Sequence, residues 1–231
     1  MRVDVWSDVI CPFCYVGEKR LENVARERGV EIEWVWHSFE LEPDAPSTHS
    51  TPNLEMIAGK YRTNEAGAIQ HQRNVAELCA SEGIDFQWQK VKPGNTRLAH
   101  RIIQVAQAKG LGIKAAEVLF EAYMNEGEAI GERSVIERIA ARIGLSHEEI
   151  NAALSSNVID DQIAADQQTA MEIGVTGVPF FVIDGKVALS GAQPRQVFDQ
   201  ALDRILLSKI ERVEDDQALI CDVDGCRIPD T

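Results

Sequence analysis

The feature that most constrains what this chain can fold into is Cys11-Pro12-Phe13-Cys14, read together with what flanks it. Before it, Arg2-Val3-Asp4-Val5 alternates polar and apolar residues, the pattern of a short strand. After it, Val16, Leu21, Val24 and Ala25 fall on one side of a helix, and Gly29 stands where a C-cap glycine belongs. Ile32, Trp34 and Trp36 alternate again and give a second strand. A strand–helix–strand unit this short implies parallel pairing with a right-handed crossover. The two cysteines then lie at the strand-to-helix turn.

That position suits redox chemistry. Only a thiolate attacks a disulfide. At a helix start the unpaired N–H groups and the helix dipole favour negative charge. Pro12 fits the first helical position, having no N–H to lose. Cys14, one turn on, faces the same side and can attack a mixed disulfide held at Cys11, releasing the substrate. Cys11 is therefore the expected attacking thiol and Cys14 its resolving partner.

From about residue 50 to 155 the chain reads as almost all helix. Leu98, Ile102, Val105 and Ala106 form one apolar stripe; Ala116, Leu119, Phe120 and Tyr123 form a second; Val135, Ile136, Ile139, Ala140 and Ile143 form a third that Gly144 stops. Ser146 with Glu149 is a capping box. A polar helix follows over about Asp160–Ile173. Val178 to Ile183 is an apolar run too short for a helix, and Asp184-Gly185 joins it to Lys186-Val187-Ala188-Leu189 as a type I′ hairpin would. A last helix is expected over about Arg195 to Ser208. The order is β-α-β, a helical block, then α-β-β-α, and without the block this is the thioredoxin arrangement. The expected fold is thus α/β: a thioredoxin-like domain over 1–49 and 156–208, an all-helical insertion domain over 50–155, and a C-terminal extension over 209–231.

With 37 acidic and 23 basic side chains the net charge is −14, which repels phosphate and argues against nucleic acid and anionic membranes as partners. The start, Met1-Arg2-Val3-Asp4-Val5-Trp6, lacks the apolar stretch of a secretory signal, and the expected location is the cytosol. Five cysteines in a reducing compartment point to redox catalysis or metal binding rather than static staples. Cys79, beside Leu78 on a helix, reads as a small buried apolar residue. His100 reads as a hydrogen-bonded structural histidine near the cleft. A proline opening an apolar run, as in Gly177-Val178-Pro179, deletes a ladder donor, so the chain turns there through a trans or a cis bond.

Ser7-Asp8-Val9-Ile10-Cys11-Pro12-Phe13-Cys14-Tyr15-Val16-Gly17 resembles the opening of the DsbA superfamily of oxidoreductases, closest to its FrnE-like branch. The helical insertion, Asn95-Thr96 with Ala99-His100-Arg101, and Gly174-Val175-Thr176-Gly177-Val178-Pro179 with Phe180 and Phe181 also match that branch. The resemblance covers about residues 1–208. It implies Cys11 and Cys14 as the active pair and Pro179 as a cis-proline. Val178, Pro179, Pro12 and Phe13 would then meet the substrate, a thiol- or disulfide-containing protein or peptide undergoing oxidation, reduction or isomerisation. No cofactor or metal is expected beyond the redox-active cysteines; an unidentified redox partner, with glutathione a candidate, would reset them.

Two departures count. Phe13 stands where periplasmic relatives carry a histidine, which argues for a less extreme thiolate and a less oxidising couple. The tail pair Cys221-x4-Cys226 lies outside the general family pattern and is expected to face across a short turn as a second redox pair, or as a local staple. The 12 residues from Lys209 to Ile220, spanning up to about 40 Å if extended, would let it reach back toward Cys11. Two other readings compete. One is a glutathione-dependent isomerase of the kappa-transferase or 2-hydroxychromene-2-carboxylate isomerase type, which places serine at position 11. The other is a binding module held by zinc on four cysteines.

Overall fold

The computed structural model describes residues 1–216, 220–222 and 225–227, with side chains through Leu207. Strand β1 (Arg2–Ser7) lies at the centre of the sheet. It runs through helix α1 (Pro12–Glu27) into β2 (Glu33–Ser38), which pairs with it in parallel, Val5 beside Trp36. On its other edge β3 (Phe180–Ile183) pairs antiparallel, Val5 beside Phe181. β4 (Val187–Ser190) completes the order β2-β1-β3-β4. Asp184 and Gly185 sit at φ 47° and 65°, the positive pair a type I′ turn requires, and the Lys186 N–H donates to the Ile183 carbonyl at 2.9 Å. This is the thioredoxin-like α/β fold.

The helical block comprises α2 (Asn53–Lys60), α3 (Glu65–Ala80), α4 (Arg97–Gln107), α5 (Gly112–Glu121) with a π turn at Ala122–Glu126, α6 (Arg133–Ile143) and α7 (His147–Ser155). The Ser146–Glu149 capping box forms in both directions, at 3.3 and 2.8 Å. The helix α8 (Asn157–Glu172) starts three residues before the sequence pattern suggests, because the Ser156 hydroxyl caps it by accepting from the Ile159 N–H. One hydrophobic cluster joins block and sheet: Trp36 and Phe181 share it with Phe120, Ile136 and Ile150. Each such side chain, fully buried, is worth about 1.5–3 kcal/mol.

Two expectations are corrected. In α4, Ala99, His100 and Ile103 are fully buried with Ile102 and Ala106, while Leu98 and Val105 are half-buried. The helix packs against β2 and against α5 to α8, so its buried arc is wider than one stripe. The last helix, α9 (Arg195–Asp216), runs eight residues beyond Ser208. Lys209 to Asp216 contains no glycine or proline to stop it and several good helix formers. At about 1.5 Å per residue instead of about 3.3, these residues shorten the reach assigned to an extended linker. Beyond it, β5 (Ile220–Asp222) and β6 (Gly225–Arg227) pair antiparallel with Cys221 opposite Cys226. Among the described residues no helix is long and apolar enough to cross a membrane.

Candidate active site

The turn between β1 and α1 is built by hydrogen bonds that its short sequence makes with itself. The Cys11 N–H donates to the Asp8 carbonyl at 3.0 Å, and the Cys11 carbonyl accepts from the Cys14 N–H at 3.0 Å. Cys11 is the N-cap of α1, in extended conformation, with Pro12 opening the first turn. The Asp8 side chain ties this turn to two other segments: one carboxylate oxygen accepts from the Leu41 N–H at 2.8 Å, the other lies 3.5 Å from the His100 Nε2. His100 is buried, and among the described residues neither ring nitrogen has a hydrogen-bond partner, so the hydrogen-bonded histidine expected from the sequence is not formed.

The two thiols differ. Cys11 is 7% exposed and Cys14 fully buried. The hydrogen bond from Cys14 lowers the Cys11 pKa from the ordinary thiol value; burial and the Asp8 charge oppose this, and the N–H groups of Cys14 and Phe13 assist it. Burial, and then the neighbouring Cys11 sulfur, hold Cys14 well above the ordinary range. The two thiols are thus shifted in opposite directions, Cys11 down and Cys14 up. The buried carboxyl of Glu18, one turn past Cys14, accepts from the Ser7 hydroxyl at 2.6 Å, and burial pushes its pKa up to about 8.

The other wall comes from the loop before β3. The Val178–Pro179 bond is cis. The Val178 carbonyl lies 3.9 Å from the Cys11 sulfur, and the Pro179 carbonyl accepts from the Gly191 N–H at 2.7 Å. Gly17 allows this approach, since a Cβ there would stand 3.0 Å from both Pro179 and Phe181. Cys11, Pro12, Phe13 and Val178 line one cavity of about 620 Å³, closed by α2, α3 and the π turn. The fold thus brings together Cys11, Cys14, Pro12, Phe13, Val178 and Pro179. Cys79 is buried away from solvent, and burial pushes its thiol up to about 12. The side chains of Cys221 and Cys226 lie outside the described residues.

Four residues of this site were not singled out as site residues by the sequence: Asp8, which stands within the motif that carries the resemblance, Tyr123, which reads as part of an apolar stripe, and Glu18 and Gln72. The nearest hint was the spacing of Glu18, which follows Cys14 by one helical turn. Gln72 and Tyr123 reach the cavity only because distant helices converge there.

The model of the DsbA-like thioredoxin domain matches residues 2–203. An uncharacterised Bacillus subtilis protein, YwbO, is 28% identical over 204 residues, covering 87% of this chain and 96% of its own. The crystal structure of a probable DsbA oxidoreductase from Streptomyces coelicolor superposes with a TM-score of 0.81 at 30% identity, covering 100% of both chains. The cytosolic disulfide reductase DsbM of Pseudomonas aeruginosa shares the fold at a TM-score of 0.61 and 20% identity, over 92% of this chain and 100% of that one. With its sheet order, its cysteines at the head of α1 and these likenesses together, the chain belongs to the DsbA-like thioredoxin-domain family.

Proposed function

We propose that the protein is a thiol–disulfide oxidoreductase acting on protein or peptide disulfides, and that it belongs to the FrnE-like branch of its family. The observation that carries this reading is the asymmetric thiol pair at the head of α1, with the Val178 carbonyl beside the more acidic sulfur. In the reducing direction the Cys11 thiolate attacks one sulfur of a substrate disulfide. The substrate S–S bond breaks, a mixed disulfide forms at Cys11, and a substrate thiolate leaves. Cys14 then gives up its proton and attacks the Cys11 sulfur, releasing the second substrate thiol and leaving Cys11–Cys14 oxidised. A reductant thiol, glutathione or a protein dithiol, returns two electrons to reset the pair. Substrate backbone would pair with Val178 as a short added strand while Pro12, Phe13 and Pro179 flank it.

The test is direct. Cys11→Ser should abolish reduction of insulin, and Cys14→Ser should accumulate mixed disulfides trapped at Cys11. In a variant retaining only Cys11, alkylation rate against pH should have its midpoint below the free-cysteine value of about 8.5. A midpoint at or above that value, or normal turnover by Cys14→Ser, removes the proposal.

A further inference from the structure

Behind the turn that carries Cys11 lies a buried polar cluster that the exchange steps do not use. Asp8, Glu40, Thr96 and His100 are each at most 3% exposed. Asp8 holds both cysteines through its backbone. Its carbonyl accepts from the Cys11 N–H at 3.0 Å, and its N–H hydrogen-bonds the Cys14 sulfur. The Asp8 side chain is held from the opposite direction. Its Oδ1 accepts from the Ile10 N–H at 3.4 Å and lies 3.5 Å from the His100 Nε2. Its Oδ2 accepts from the Leu41 N–H at 2.8 Å and from the Thr96 hydroxyl at 3.4 Å. Thr96 is the N-cap residue of α4, yet its hydroxyl goes to Asp8 rather than to its own helix. His100 stands one turn further along α4, so this helix of the insertion reaches the thiols through Asp8.

The charges in this cluster assign His100 a task. Two carboxylates are buried here, and Arg97 pairs with one of them, Glu40, at 2.8 Å. The group facing the other, Asp8, is the imidazole. Its ring lies against Trp36 at 5.3 Å, and neither nitrogen has a hydrogen-bond partner among the described residues. Buried polar atoms are nearly always paired, so an orphaned imidazole is one that a redox role explains. Tyr123 of the π turn also feels the Asp8 charge, and Asp160 of α8 is held by Arg97 and Arg101. A neighbouring carboxylate favours the protonated ring, against the effect of burial. The Asp8 charge disfavours a Cys11 thiolate, and a positive ring beside Asp8 offsets part of that repulsion. We infer that His100, as an imidazolium acting through Asp8, is a positioning residue that sets the reduction potential of the Cys11/Cys14 pair. Stabilising the thiolate stabilises the reduced pair, so the couple is more oxidising with His100 than without it. The inference rests on Cys11 and Cys14 being the exchanging pair.

Equilibration of the full chain with glutathione reads the potential without any protein substrate. Two glutathione thiols reduce the Cys11–Cys14 disulfide and leave as one glutathione disulfide, while the proton of the Cys11 thiolate goes to solvent. Acid quenching, alkylation and mass spectrometry of the peptide carrying both cysteines give the reduced fraction. His100→Gln should lower the equilibrium constant for reduction about three- to tenfold, roughly 15–30 mV, and raise the midpoint of Cys11 alkylation. Asp8→Asn should move both quantities the other way. In the Asp8→Asn background, His100→Gln should change the constant less than about twofold, because the charge it offsets is gone. A packing defect would instead move both single variants in the same direction. The wild-type chain supplies a reading that needs no variant: nitrogen-15 spectra of the His100 ring at pH 7 should show both nitrogens protonated. A neutral ring, an unchanged potential in His100→Gln, or an equal effect of His100→Gln with and without Asp8 overturns the inference. Potentials that move as stated in a chain that reduces no insulin overturn the proposed function instead.

Discussion

Gly17 is the residue at which helix and cis-proline loop touch, and its missing side chain sets their spacing. A Cβ would stand 3.0 Å from Pro179 and Phe181, and Phe181 is pinned edge-on against Phe198 at 5.6 Å. Gly17→Ala adds that carbon but gains about 0.5–1 kcal/mol of helix propensity, so stability should change little. Gly17→Val should cost about 1–3 kcal/mol in urea denaturation and slow disulfide exchange more than Gly17→Ala does, as overpacking pushes Pro179 away from Cys11. Equal exchange rates for the two variants would show that this spacing does not matter to turnover. The residues legible in sequence were those whose meaning is local: two cysteines one turn apart, and a proline at a strand start. Gln72 and Tyr123 were not, because a glutamine or tyrosine in a helix looks the same facing water, core or cavity.

At the scale of elements, β1, β2 and α8 are clamped by one imidazole. The His37 ring meets Asp166 at 2.8 Å through Nδ1 and Asp4 at 2.9 Å through Nε2, and it stacks on Trp6 at 4.4 Å. Burial lowers its pKa, but the two carboxylates outweigh it and the net shift is upward. A histidine whose folded pKa is raised adds stability that is complete below the unfolded value of about 6.5 and is lost as pH rises through the folded value. Asp4 is shifted downward, against its own burial, by Arg2 and His37, so its contribution disappears only in acid, well below that window. His37→Asn should therefore lower the thermal midpoint more at pH 6 than at pH 9; an equal drop at both would mean that the ring packs but its charge does not contribute. Strand and helix identities were readable from periodicities of two and 3.6, and Asp-Gly marked its turn. The clamp was not readable, since it joins residues from three elements. Nor was the buried face of α4, which is set by neighbours on several sides.

For the whole molecule, the helical insertion packs onto the same core as the sheet instead of forming a separate nucleus, which segment boundaries alone could not reveal. The tail is the part whose role remains a proposal: Cys221/Cys226 as a second redox pair exchanging electrons with Cys11/Cys14. Its two cysteines are register partners across β5 and β6, and opposed positions in antiparallel strands are about 4.5–5.5 Å apart at Cα, within disulfide reach. Replacing both by serine should slow steady-state turnover at an unchanged thermal midpoint. A lowered midpoint with normal turnover would leave only a staple. A last consequence concerns how the molecule is made. The Cys11 sulfur and the Val178 carbonyl beside it are 167 residues apart in sequence. At about 5–20 residues per second, a ribosome needs roughly ten to thirty seconds between them. Through that interval the nascent chain carries its cysteine pair without the loop that stands beside it in the fold, so the site is assembled only with the closing strands, late in synthesis.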